Sequence, residues 1–299
     1  MHVLILNQVF ETYGTERLVQ ALKARKHTVK LLRPLDCTVH VGDVGGGVIY
    51  EGQRVDDADA VLLRCAAYTR YGLTIVRTFE SAVATQLESA GLICINQPQA
   101  KLHAHDKFLS MQLLQRAGIP IPLSVLTWDP ASLEQAVSEY LDTPVILKTR
   151  QGSLGIGVMR ADTVESALAI HDTMRTVERI LIAQQYLVEG DGQDIRVIVL
   201  GNEVLGAFRR TARPGEFRAN IHRGGTAEII ELPEGYAQMA VRAAKALELD
   251  LAGVDIIETE RGPVVLEVNP SAGWQQLEKH SDIDVATRIV AYLEGKVAV

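Results

Sequence analysis

Over its first hundred residues the chain alternates short apolar runs with amphipathic stretches, and that alternation admits few folds. Residues 3–7 read as a strand, 15–26 as a helix, 28–33 and 60–65 as further strands, 74–89 as a helix and 92–96 as a closing strand. A crossover helix carries the chain back across the sheet, so successive strands run parallel. The expectation over residues 1–97 is an α/β lobe, a parallel sheet with helices on both faces. Gly45-Gly46-Gly47 and the residues to Val55 read as a small inserted hairpin. They lack the strand–GxGxxG–helix setting of a dinucleotide site.

Near Asn96 the pattern changes. Residues 106–117 read as a helix stopped at Gly118, and Ile119-Pro120-Ile121-Pro122 as an extended connector, because a proline pushes its predecessor out of the helical region. A strand (123–127), a helix (131–141) and a strand (145–149) follow. Then come the run Gly152-Ser153-Leu154-Gly155-Ile156-Gly157, another strand and a helix starting near Thr163, where Asp162 and Glu165 suggest a capping box. From Ile180 strands dominate, at 181–186, 195–200, 203–210, 253–258 and 264–269, with helices at 236–247 and 284–294. This mixture predicts two α+β lobes, over 98–183 and 184–299.

A net charge of −7 excludes a global basic field for nucleic acid or an anionic membrane. No apolar run reaches the ~18 residues that span a bilayer. Met1 leads straight into Val3-Leu4-Ile5-Leu6 without a charged n-region, so a cytoplasmic protein is expected. Cys37, Cys65 and Cys94, odd in number and widely spaced, suit buried thiols in a reducing compartment.

Residues that carry chemistry gather toward the C-terminal half. Glu267 and Asn269 lie two apart on a strand and share a face. A three-residue turn at Glu260-Arg261-Gly262, with Gly262 left-handed, sets Asp255 opposite Glu267. Carboxylates on an apolar hairpin need a neutralising cation. Magnesium carrying nucleotide phosphates fits, and so does an ordinary ion pair beside a turn asparagine. The glycine run lacks the Gly-Lys-Ser/Thr of a P-loop. It fits either a lid that closes over phosphates through backbone N–H groups or a flexible surface hairpin. Lys148, on the strand entering that run, favours the lid, since it is placed to meet phosphate oxygens as a point charge. Lys107, at a helix start, suits the same role or solvent. Arg209, Arg210, Arg213, Arg218 and Arg223 crowd a segment that reads as a solvated loop or as an anion clamp for a triphosphate or acyl phosphate. Without an aromatic platform, no direct nucleic-acid binding is expected of it. His103 and His105 are two apart, a spacing that a helix would turn to different faces, and read as structural or as supports behind a site rather than a metal pair; packing is the leading reading of Trp128 and Trp274.

The order of these motifs resembles the ATP-grasp superfamily, and within it the RimK-type α-L-glutamate ligases. The resemblance rests on Lys148, the glycine lid, Gln184-Gln185-Tyr186, Asp194-Ile195-Arg196, Phe217-Arg218-Ala219-Asn220-Ile221-His222-Arg223-Gly224-Gly225, Asp255 and Glu267-Val268-Asn269. It implies an α/β and α+β molecule of three lobes, two of which grip ATP, and an ADP-forming ligase that joins a carboxylate to an amine. By the same resemblance Lys107, Lys148, Gly152, Ser153 and Gly155 contact phosphates. Gln184, Gln185 and Tyr186 form the hinge that cradles adenine, and Asp194 binds ribose. Asp255, Glu267 and Asn269 hold magnesium, two ions with manganese as a substitute. Arg218, Asn220 and Lys148 act on the phosphates and the acyl intermediate, and Arg64 is similar to a substrate-side arginine.

The resemblance also implies glutamate as the incoming amine and a homo-oligomer, dimer or tetramer. The acceptor carboxylate would belong to a protein C-terminal tail, glutamate or polyglutamate. Gln151 and Gln185 stand where the family often carries acids. Pro270-Ser271-Ala272-Gly273-Trp274 replaces the usual Ser-Pro-Gly-aliphatic pattern, which leaves the acceptor's identity open. Three alternatives stand beside this reading: a ligase acting on a small-molecule carboxylate, a catalytically silent nucleotide-binding regulator, and an RNA- or ribosome-binding module.

Overall fold

The computed structural model describes residues 1–43, 45–65, 73–152, 155–219, 221 and 224–298. Its first lobe runs β1 (His2–Leu6), α1 (Tyr13–Ala24), β2 (Thr28–Leu32), β3 (Cys37–His40), β4 (Gly47–Tyr50), β5 (Gln53–Arg54), β6 (Ala60–Leu63), α2 (Leu73–Ser89) and β7 (Ile93–Ile95). The strands β2-β1-β6-β7 pair in that order, every pair parallel. Val3 and Ile5 pack with Leu18 and Leu22 of α1, while Leu4 and Leu6 pack with Val83 and Leu87 of α2. Covered on both faces, β1 and β6 read as unbroken apolar runs, as the alternation predicted. The inserted hairpin has a third strand, β3, which pairs with β4. Cys37, Cys65 and Cys94 are free and buried.

The second lobe begins with α3 (Pro98–His105) and α4 (Lys107–Arg116), followed by β8 (Ser124–Leu126) and α5 (Pro130–Ala136). Then come β9 (Val145–Thr149), β10 (Val158–Ala161), α6 (Val164–Thr176) and β11 (Leu181–Gln185). Helix α3 was not expected, because it carries no apolar stripe; Pro98 in its first turn starts it instead. Asp106, expected as its successor's first residue, is the N-cap of α4 and accepts from Phe108 N and Leu109 N. The capping box of α6 also sits one residue later than expected. Thr163 Oγ1 accepts from Ser166 N, and Ser166 Oγ from Thr163 N, each at 3.1 Å, while Asp162 pairs with Arg160. The sheet is antiparallel, β10-β9-β11-β8.

The third lobe holds β12 (Gln193–Leu200), β13 (Glu203–Thr211), β14 (Thr226–Ile230), α7 (Glu234–Ala246), β15 (Leu251–Thr259), β16 (Gly262–Asn269), α8 (Gln275–His280) and α9 (Val285–Val297). Its antiparallel sheet runs β14-β13-β12-β15-β16. Strand β14 and helix α8 went unforeseen. The β15–β16 turn corrects the expected geometry. Thr259 pairs with Gly262, so the loop is two residues rather than three, with Gly262 at φ +112°. A bulge at Leu266 restores the missing residue, and Asp255 still lies opposite Glu267.

The first and third lobes share one core. Val3, Ile5, Leu18 and Leu22 pack in one cluster with Ile198, Phe208, Trp274, Ile289 and Leu293. Buried Asn96 pins the seam, donating to Leu251 O and Pro270 O at 2.8 Å and accepting from Leu251 N at 2.7 Å. Among the described residues no helix is long and apolar enough to cross a membrane.

Candidate active site

A cleft of about 690 Å³ is lined by residues from all three lobes. At its third-lobe wall, pleating turns Asp255, Glu267 and Asn269 to one face of the β15–β16 hairpin. Asp255 is 5% exposed and held by three donors. Arg196 grips it through Nε and Nη2, Arg210 Nη2 lies 3.0 Å away, and Asn269 Nδ2 donates at 3.2 Å. Glu267 Oε1 accepts from Lys107 Nζ at 2.6 Å. Burial pushes both carboxyls up, but Arg196 and Arg210 outweigh it at Asp255, and Lys107 at Glu267, so both lie below the ordinary range.

Two ionised carboxylates and an amide make an all-oxygen donor set on one face, the chemistry that a hard divalent cation accepts. These three residues therefore fit magnesium. Arg196, Arg210 and Lys107 neutralise the carboxylates in the metal-free protein.

Lys148 is 5% exposed on β9, and burial, with nearby Lys107, brings its ammonium down to about 7. It donates to Gln184 Oε1 at 2.9 Å, and Gln184 Nε2 donates to Ser124 Oγ at 2.8 Å. The Gln184 side chain thus holds the lysine, and its backbone lies in the ladder between β8 and β9. Gln185 N donates to Leu123 O at 2.9 Å, and the Tyr186 ring lies under Arg160 with its hydroxyl on Asp191. Asp194 has both oxygens engaged by Arg210, which also reaches Asp255. Burial lifts the Asp194 carboxyl to about 6 against the pull of Arg210.

At the lid, Gly155 and Gly157 adopt φ +69° and +72°, and a side chain on Gly157 would meet Thr149 Oγ1 at 2.6 Å. Arg218 latches this hairpin. Its Nη1 donates to Gly155 O at 3.0 Å while Nε and Nη2 are held by Glu216.

Lys107, Lys148, Gly152, Gly155, Gln184, Gln185, Tyr186, Asp194, Arg218, Asp255, Glu267, Asn269 and Arg64 all line this single cleft. Ser153 and Asn220 lie outside the described residues, as do His222 and Arg223. The arginine segment is not one clamp: Arg209 and Arg210 stand on β13 and pair with Glu258 and with Asp194 and Asp255. Sequence reasoning gave no role to Arg77, read His105 as structural or as a support behind a site, and favoured packing for Trp274. All three line the cleft. The charge pattern of helix α2 gave no signal for Arg77, because only the tertiary fold turns it inward.

A parallel-sheet lobe followed by two α+β lobes around such a cleft defines an ATP-grasp protein. Solved structures of the ATP-grasp ligase PsnB complexed with minimal precursor (24% identity, TM-score 0.75, 98% of each chain) share this fold. So does a RimK domain ATP-grasp protein from Sphaerobacter thermophilus (22%, 0.73, 98% of this chain and 99% of that one). Residues 1–100 match the RimK PreATP-grasp domain and residues 104–293 the RimK-like ATP-grasp domain. A probable alpha-L-glutamate ligase from Enterobacter sp. (strain 638) is 35% identical over 98% of this chain and 96% of its own. The ribosomal protein bS6--L-glutamate ligase of Salmonella paratyphi B is 36% identical over the same shares. The chain belongs to the RimK family and is an ATP-dependent ligase.

Proposed function

We propose that this enzyme adds L-glutamate to a carboxylate acceptor, with magnesium held by Asp255, Glu267 and Asn269 and ATP gripped between the second and third lobes. The observation that carries this reading is convergence. Two ionised carboxylates, Asn269 and the buried lysines 107 and 148 meet in one cleft beneath a lid latched by Arg218.

Bound magnesium would offset charge on the phosphate oxygens. Lys107 and Lys148 orient the β- and γ-phosphates. An oxygen of the acceptor carboxylate attacks the γ-phosphorus, the bond to the bridging oxygen breaks, ADP leaves and an acyl phosphate forms. Arg218 sits to stabilise its negative charge. The amine of glutamate then attacks the acyl carbon, phosphate leaves, and the amine's surplus proton passes to solvent or phosphate. Closure of the lid keeps water from the acyl phosphate. The name of the bS6 ligase relative supports a protein as acceptor, and a protein C-terminal tail is the form we propose. The homo-oligomer implied by family resemblance belongs to the same proposal.

Mass spectrometry of products from purified enzyme, ATP, Mg²⁺ and each amino acid in turn tests the reading. Glutamate-sized additions, to glutamate itself or to an acidic protein tail, are expected. ATP binding with no ADP release under any acceptor would instead identify a nucleotide-binding regulator.

A further inference from the structure

At the first-lobe end of the cleft the charges do not balance. Arg64, beyond β6, Arg77 on α2 and His105 at the end of α3 line it together with Ser271 and Trp274 from the loop after β16. Arg64 Nε and Nη1, Arg77 Nη1, His105 Nε2, Ser271 Oγ and Trp274 Nε1 are closed off from solvent and have no hydrogen-bond partner among the described residues. They are six of the eight such atoms among the described residues, so the shortfall is concentrated in one corner. Native proteins leave few buried polar groups without a hydrogen-bond partner.

The charges point the same way. Four cations meet here, Arg64, Arg77, Lys101 and Lys107, and the carboxylates that act on the two arginines are Glu80 and Glu267. Each of those is already paired, Glu80 with Lys101 and Glu267 with Lys107. Two guanidinium charges remain uncompensated among the described residues. Burial, and then Arg77, Lys101 and Lys107, hold His105 neutral, so it adds a hydrogen-bonding nitrogen without a third charge. Arg64 is fixed in place, its Nη2 donating to Ala272 O at 2.9 Å and its Cζ 4.4 Å from the centre of the Trp274 ring. A planar guanidinium fork matches a carboxylate.

We infer that Arg64 and Arg77, with the neutral donors of Ser271 and Trp274, bind the two carboxylates of the incoming amino acid, and that this corner selects a dicarboxylic donor. The assignment rests on the glutamate-ligase reading above, yet it can be tested without turnover. Inorganic phosphate offers similar anionic chemistry and serves as the competing probe.

Calorimetric titrations of the intact enzyme with L-glutamate, glutarate, L-glutamine and inorganic phosphate, without ATP, give the first readout. Glutamate and glutarate should saturate, and glutamine, with one carboxylate, should bind at least about tenfold more weakly. Arg77→Gln should weaken glutamate binding and raise its KM roughly 10- to 100-fold, while affinity for a non-hydrolysable ATP analogue stays within about twofold. Arg77→Lys should recover part of the loss, and Ser271→Ala, a small change at the other wall, should raise the glutamate KM severalfold. Phosphate saturating where glutamate does not would overturn the assignment. So would a folded Arg77→Gln enzyme that adds glutamate with unchanged KM, and that result would leave the ligase reading standing. Dicarboxylate binding lost in Arg77→Gln, in an enzyme that attaches no glutamate, would keep the site and remove the ligase reading.

Discussion

The two ends of the cleft handle buried charge in opposite ways. At the third-lobe end, Asp255, Asp194 and Glu267 are matched by Arg196, Arg210 and Lys107, so the corner is neutralised by the chain's own side chains before any ligand arrives. At the first-lobe end, Arg64 and Arg77 keep nitrogens without a partner among the described residues. A compensated corner is stable alone and, on the proposed function, would exchange partners when phosphates and metal bind. An uncompensated corner is strained alone and is relieved by substrate. Stability and binding should therefore respond with opposite signs to mutations at the two ends.

The largest effect should come from the donor set. Glu267→Ala or Asn269→Ala should lower the rate of ADP formation by roughly 10²–10³-fold or more, with folding retained. Unchanged turnover would remove the metal assignment.

Next is the compensation itself. Arg210→Met leaves Asp194 and Asp255 facing each other with Arg196 alone, and breaking such a buried pair costs about 3–5 kcal/mol. Urea unfolding should show that loss, and a midpoint equal to the native one would mean that the pairing is not what stabilises this corner.

The third test concerns pH. Burial sets Lys148 near 7 in the free protein, so it is largely neutral at pH 8. Phosphate oxygens favour its charged form, so ATP binding at pH 8 should take up a proton, and affinity should fall as pH rises above about 7, approaching tenfold per unit. Calorimetry in buffers of different ionisation enthalpy reads the uptake directly. Lys148→Arg, which stays charged, should abolish it; uptake that survives the substitution belongs to another group.

The smallest effect is the sharpest test of the contrast. Arg77→Gln should leave the ligand-free unfolding midpoint unchanged or raise stability by up to about 1 kcal/mol, because it removes an uncompensated buried charge. Added glutamate should stabilise the native protein and not the variant. A fall as large as that of Arg210→Met would show the two ends to be alike.

Local pattern carried much of this molecule. The apolar runs at 3–7 and 60–65 became β1 and β6, since strands covered on both faces need no alternation. Lys148, Gly152 and Gly155 of the glycine run and the Asp255–Glu267–Asn269 face were legible from local spacing, and all line the cleft. Elements without a strong period were invisible: α3 lacks an apolar stripe, and β14 exists because β13 offers it an edge. The hairpin register came out as expected for the wrong reason, a two-residue turn corrected by a bulge.

The chain's order of motifs points to the fold family and marks out candidate nucleotide-facing residues and candidate metal ligands, because each depends on residues close together in sequence. Which cation answers which carboxylate was decided only when β12, β13 and β15 came side by side and set Arg196 and Arg210 against Asp255. The unanswered corner is likewise a product of packing. Arg64, Arg77, His105, Ser271 and Trp274 lie as far as two hundred residues apart, and their net charge and missing partners exist only where the first and third lobes share a core. Electrostatics and hydrogen bonding act through space, and sequence neighbours carry no record of them.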